Sequence, residues 1–166
     1  TIADGRDFLT INPLGYVPVL ELNNGELLTE GTAILYYLAD LVPGAGLVPP
    51  AGEVARYRLL AWLNFIGSEL HKNFSPLFGK DTPAAYKAQV SARLATRFAH
   101  VHGVWAYSPY LADGVFTIAD AYLFVVSNWA AIVGFDLAPY PHLLAFRERV
   151  AARPSVQRAM QEEGLL

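Results

Sequence analysis

The sequence predicts two folds in series: a small mixed α/β segment over residues 1–42 and an all-helical segment over residues 53–166, joined by a linker at 43–52. Three observations predict this. Val19-Leu20-Glu21-Leu22 and Leu27-Leu28 flank Asn23-Asn24-Gly25, and an Asn-Gly pair between short apolar runs marks a β-hairpin. Pro43-Gly44-Ala45-Gly46-Leu47-Val48-Pro49-Pro50 can continue neither a helix nor a ladder. Beyond it, apolar residues recur at helical spacing to the end of the chain.

Before the hairpin, Asp7 to Ile11 reads as a short helical turn. After it, Thr32 to Leu41 places Ala33, Ile34, Tyr37, Leu38 and Leu41 at helical spacing, so this face is expected to pack on the hairpin. Past the linker, helices are expected at about 53–78, 83–105, 118–133 and 141–152, with a last turn or two after Pro154. Thr117 and Asp120 form a capping box at the start of the third of these, so Thr117→Ala or Asp120→Ala is expected to cost about 0.5–2 kcal/mol. Phe116 would be the accompanying staple, a weak one because its partner Ala121 is small.

The 166 residues are 54% hydrophobic and 16% charged, which excludes disorder and allows one good core or two small ones. A formal charge of −3 without a Lys/Arg run gives no footprint for nucleic acid or an anionic membrane. The most apolar run, Ala121 to Val126, is broken by Ser127 and Asn128 well short of a membrane span. With no charged-then-apolar leader, the expectation is a cytoplasmic protein. The absence of cysteine removes disulfides, Cys-ligated metals and thiol nucleophiles together. His100, His102 and His142 have no partners at metal-ligand spacing and read as surface or packing residues.

Two places could carry chemistry. At Val17-Pro18, an X-Pro bond before a strand can be cis, which would turn the Val17 N–H and C=O outward for an extended peptide to pair with. Proline opening an edge strand fits the local sequence equally well. The helix beginning after Glu30-Gly31 adds free N–H groups and a positive dipole end suited to a carboxylate. In the helical segment, Asn64, Ser68, His71 and Ser75 are spaced four, three and four, which at about 100° per residue gives a narrow polar stripe. Leu59, Leu63, Ile66, Leu70, Phe74 and Leu77 fill the neighbouring arc and should make the core contact. Such a stripe suits the wall of a polar cleft, and it equally suits an ordinary solvated face with a packed histidine.

The order VPVL, TEGTAILYYLAD, ELHKNFSPLF and FTIADAYLF resembles the glutathione transferase family over nearly the whole chain, most closely its bacterial beta class. The resemblance implies a partial thioredoxin-like N-terminal domain followed by the family's helical C-terminal domain, two such subunits forming a homodimer, and no metal. Glutathione is the implied co-substrate, its thiolate attacking a small hydrophobic electrophile. Within that resemblance His71 is the catalytic candidate, able to accept a hydrogen bond from a thiol or donate one to a thiolate, with Lys72 adding charge that favours the anion. Val17 and Pro18, Glu30 for the γ-glutamyl ammonium, Gly31 for the adjacent carboxylate, and Asn64, Ser68 and Lys72 are the implied glutathione contacts. Glu30 has a second reading as an acid that merely complements the helix dipole. Gly31 departs from the serine or alanine common in the family, but a backbone N–H survives that change. Ser75 and Trp129 are the implied electrophile contacts, and Trp129 reads equally well as core. Asn64 or Glu69 is a candidate to reach a neighbouring subunit's ligand.

The same fold without turnover, as a binding module, and a glutathione-dependent reductase or peroxidase are the alternatives. Relative to the family the chain is expected to lack an opening strand, helix and strand of about 30 residues or more, which would carry the cysteine, serine or tyrosine aimed at the sulfur. Protein beginning at Thr1 is therefore expected to bind glutathione weakly and conjugate little.

Overall fold

The structure, a computed structural model, describes residues 2, 4–105, 108–112 and 114–166, and the chain separates into two compact units, up to Val48 and from Pro49 onward.

In the first unit a 3-10 turn, Phe8–Thr10, begins at Asp7, whose Oδ1 accepts the Leu9 N–H at 3.0 Å. Strands β1 (Val19–Glu21) and β2 (Leu27–Thr29) pair antiparallel in the register Val19↔Thr29, Leu20↔Leu28, Glu21↔Leu27. The turn between them closes through the Gly25 N–H on Leu22 O at 2.8 Å, and Gly25 supplies the φ of 84° that the chain reversal demands. Helix α1 (Gly31–Asp40) follows. Its buried residues are Ile34 and Ala39, while Ala33, Tyr37, Leu38 and Leu41 of the expected face are exposed. The expectation for that face is therefore corrected. A hairpin with three-residue strands covers only a narrow line of a helix, and that line runs through Ile34 and Ala39.

The second unit opens with a long helical run in three parts: α2 (Val54–Phe65), a π-helical stretch (Ile66–His71) and α3 (Lys72–Phe78). Leu59, Leu63, Ile66, Leu70 and Phe74 on it are fully buried, the core line expected from their spacing, although Leu77 is only half-buried. Helices α4 (Ala84–Val104), α5 (Ile118–Val133), α6 (Pro141–Ala151) and α7 (Pro154–Glu162) complete the unit. Proline at the first position of α6 and α7 gives up an N–H that a helix start leaves unpaired in any case. Helix α3 packs on α4, the π stretch packs on α5, and α6 packs on both α4 and α5. Phe98, Leu94, Leu123, Leu143 and Phe146 close the core from those sides. The final segment, expected as a turn or two, is a nine-residue helix.

The capping box forms at α5. Buried Asp120 accepts the Thr117 N–H at 2.9 Å and the Thr117 hydroxyl at 2.8 Å on Oδ2, and its Oδ1 accepts the Leu111 N–H at 2.9 Å. Phe116 packs under the Arg153 guanidinium, 3.8 Å from its ring centroid, with Tyr110 edge-on at 5.7 Å.

Candidate functional site

In the first unit the Val17–Pro18 peptide is cis, and Val17 is 78% exposed. Glu30, the residue before α1, has φ 69° and ψ 111°, and among the described residues it is the one non-glycine with positive φ. A side chain held there costs of order 1–3 kcal/mol, and such residues gather where a backbone must present groups to a ligand. The Glu30 carboxylate makes no cap hydrogen bond to α1. A Cβ added at Gly31 would lie 3.7 Å from the Pro18 ring, which is ordinary contact. Gly31→Ala is thus expected to raise stability by about 0.4–1 kcal/mol, measured by chemical unfolding, because it restricts the unfolded chain without a clash. A destabilised variant would mean that this helix start needs glycine's freedom.

In the second unit His71 is half-buried at the end of the π stretch. Its Nδ1 lies 2.7 Å from the Tyr122 hydroxyl of α5, and its ring stands edge-on to Trp129 with centroids 4.6 Å apart and planes at 89°. Tyr122 and Trp129 are seven residues apart, two turns along one face of α5. Trp129 also meets Phe78 at 5.7 Å and Phe74 at 5.9 Å, both edge-on, so it joins the histidine to the core. Burial first, and the positive charge of Lys72 second, hold the His71 pKa below its ordinary value. The imidazole is therefore neutral near pH 7.

Of the four residues expected in a polar stripe, Asn64, Ser68 and Ser75 are exposed, and half-buried His71, at the end of the π stretch, meets α5. The Asn64 amide donates to Leu60 O at 3.0 Å and the Ser68 hydroxyl to Asn64 O at 2.9 Å, so both are folded back on their own helix. Glu69 is engaged within the chain by Arg97, whose Nε lies 2.6 Å from Oε2. Beside it Asn73 donates to Glu69 O at 2.8 Å and accepts from Arg93 at 3.2 Å. The residue missed in the sequence is Tyr122, and its signal was the spacing of seven to Trp129 on a mostly apolar helix.

Of the other histidines, His102 stacks on His142 at 4.4 Å and His100 on Trp62 at 5.9 Å. No group of three His, Cys, Asp or Glu that could hold a metal occurs among the described residues.

A neutral histidine with one nitrogen anchored and an aromatic wall beside it is equipped to steady an anion. Family models describe the same two parts: that of the glutathione S-transferase C-terminal domain matches residues 65–154, and that of its N-terminal domain matches residues 2–41. The chain belongs to the glutathione S-transferase family. It is 46% identical over 164 residues to glutathione S-transferase GstA of Escherichia coli O157:H7, covering 99% of this chain and 82% of that one. Among solved structures, a sphingomonad glutathione S-transferase complexed with glutathione superposes with a TM-score of 0.94 at 45% identity, covering 99% of this chain and 82% of the other. A bacterial beta-class glutathione S-transferase from Sphingomonas chungbukensis gives a TM-score of 0.94 at 44% identity, with the same coverage.

Proposed function

We propose that the protein is a glutathione S-transferase in which His71 steadies the glutathione thiolate for attack on a small hydrophobic electrophile. The observation that carries this is the His71 imidazole tied through Nδ1 to Tyr122 and walled by Trp129. A thiolate is the reactive form of the thiol, and a hydrogen bond to a developing anion in a partly dry site stabilises it more than it stabilises the neutral thiol. Lys72 adds positive charge on the same stretch of chain, and Trp129 offers the electrophile an apolar surface.

Glutathione itself is assigned to the first unit. The Val17 main chain is free to pair with the cysteinyl unit, the Gly31 N–H at the start of α1 suits the γ-glutamyl carboxylate, and Glu30 suits its ammonium. The strained Glu30 backbone supports this reading, since nothing in the helix itself requires it. Asn64, Ser68 and Ser75 are assigned lesser roles because the first two are engaged with their own main chain. The functional division into residues 1–42, 43–52 and 53–166, a homodimeric assembly and a cytoplasmic location belong to the same proposal, supported by family membership. No helix among the described residues is long and apolar enough to cross a membrane.

Glu30→Gln in the complete protein tests the binding half. Loss of a charge-assisted pair worth about 1.5–3 kcal/mol should raise KM for glutathione by about 10- to 150-fold in conjugation of an aryl halide, with kcat at saturation little changed. An unaltered KM would remove Glu30 from the site.

A further inference from the structure

The two nitrogens of a neutral imidazole are not equivalent: one carries the proton and donates, the other accepts. We infer that Tyr122 fixes the tautomer of His71, keeping the proton on Nε2, and so acts as a positioning residue for the reaction proposed above, on which this inference rests. The two groups lie 2.7 Å apart. A phenol is the better hydrogen-bond donor of the pair and an imidazole nitrogen the better acceptor, so the Tyr122 O–H donates to Nδ1 and the ring proton stays on Nε2.

The surroundings hold this arrangement in place. The Tyr122 hydroxyl lies 3.7 Å from where a Cβ at Gly67 would stand, so the glycine in the π stretch leaves it room beside the helix. Trp129 packs edge-on to the imidazole, and a flipped ring would turn a carbon toward the Tyr122 oxygen in place of a nitrogen. The groups that face or adjoin His71 are Tyr122 and Trp129 from α5 and Lys72 next in the chain, while the Glu69 carboxylate nearby is taken up by Arg97. No carboxylate bond to His71 is found among the described residues that would favour the other tautomer.

The consequence is chemical. A histidine with its proton on Nε2 and its other nitrogen occupied cannot remove a proton from a thiol. It can donate a hydrogen bond to a thiolate, so His71 acts by stabilising the anion, and the thiol proton leaves to solvent or another base.

Long-range proton–nitrogen correlation of the histidine rings in the complete protein tests this directly, with the His71 signals assigned by their loss in His71→Gln. The expected pattern in the unaltered protein is a protonated Nε2 and a bare, hydrogen-bonded Nδ1. Tyr122→Phe, which keeps the ring but removes the donor, should yield a mixture of tautomers and raise the His71 titration midpoint by up to about one unit. Turnover at saturating glutathione should fall about 3- to 10-fold, and the change should vanish in a His71→Ala background. Protonated Nδ1 in the unaltered protein, or an unchanged His71 spectrum in Tyr122→Phe, overturns the inference. The first of these measurements needs only the conservative His71→Gln variant, for assignment. If the spectrum changes as expected and turnover does not, the tautomer assignment stands and it is the role of His71 in the reaction that falls.

Discussion

Asp120→Ala should destabilise the helical unit by about 3–5 kcal/mol, well beyond the 0.5–2 kcal/mol of a lost helix cap. Asp120 is fully buried and takes three hydrogen bonds, from the Thr117 N–H, the Thr117 hydroxyl and the Leu111 N–H. The first two belong to the start of α5, but the third ties in a segment nine residues upstream. Truncation strands buried donors, each at about 1–3 kcal/mol, and against a typical stability of about 5–15 kcal/mol the loss is large. Denaturant unfolding measures it, and a cost under about 1 kcal/mol would show that the Leu111 tie contributes nothing.

The pH dependence of that loss has a definite sign. Burial raises the Asp120 pKa above 3.8, outweighing the hydrogen bonds from Leu111 and Thr117 that pull it down. A carboxyl with a raised folded-state pKa contributes linkage stability that is fully present below its unfolded value and is lost as pH rises through the folded one. The penalty for Asp120→Ala should therefore be larger near pH 4 than near pH 7. A penalty that shrinks in acid would mean the hydrogen bonds, not burial, govern this group.

What could be read from the sequence follows from what each feature depends on. The core line Leu59, Leu63, Ile66, Leu70 and Phe74 and the bounds Ile118–Val133 depend on local periodicity and caps, and both are found. The π stretch depends on how Ile66–His71 meets α5, and no residue type signals it. The α1 face failed for a related reason: spacing tells which residues share a side, whereas the short hairpin decides which side is covered. The positive φ of Glu30 is likewise invisible in a glutamate, although the glycine after it marked the helix start. The third partner of Asp120, Leu111, lies outside the reach of any capping pattern.

His71→Ala is expected to lower kcat for conjugation at saturating glutathione by about 10- to 150-fold, the cost of removing a hydrogen bond of about 1.5–3 kcal/mol to a charged sulfur. KM for glutathione should change little, because the γ-glutamyl ammonium and carboxylate are assigned to Glu30 and Gly31. Folding should suffer less than catalysis. The variant leaves the half-buried Tyr122 hydroxyl without its imidazole partner and Trp129 without one ring contact, together about 1–2 kcal/mol. The histidine's own linkage runs opposite to that of Asp120: with a lowered folded-state pKa, its stability is present above the unfolded value of 6.5 and lost as pH falls through the folded one. The stability gap between the unaltered protein and His71→Ala should thus narrow as pH falls below 6.5, while the gap for Asp120→Ala widens. Paired unfolding curves at pH 7 and pH 4 distinguish the two. A kcat within twofold of the unaltered protein, with the stability loss intact, would make His71 a packing residue between the π stretch and α5 and move thiolate stabilisation to another group.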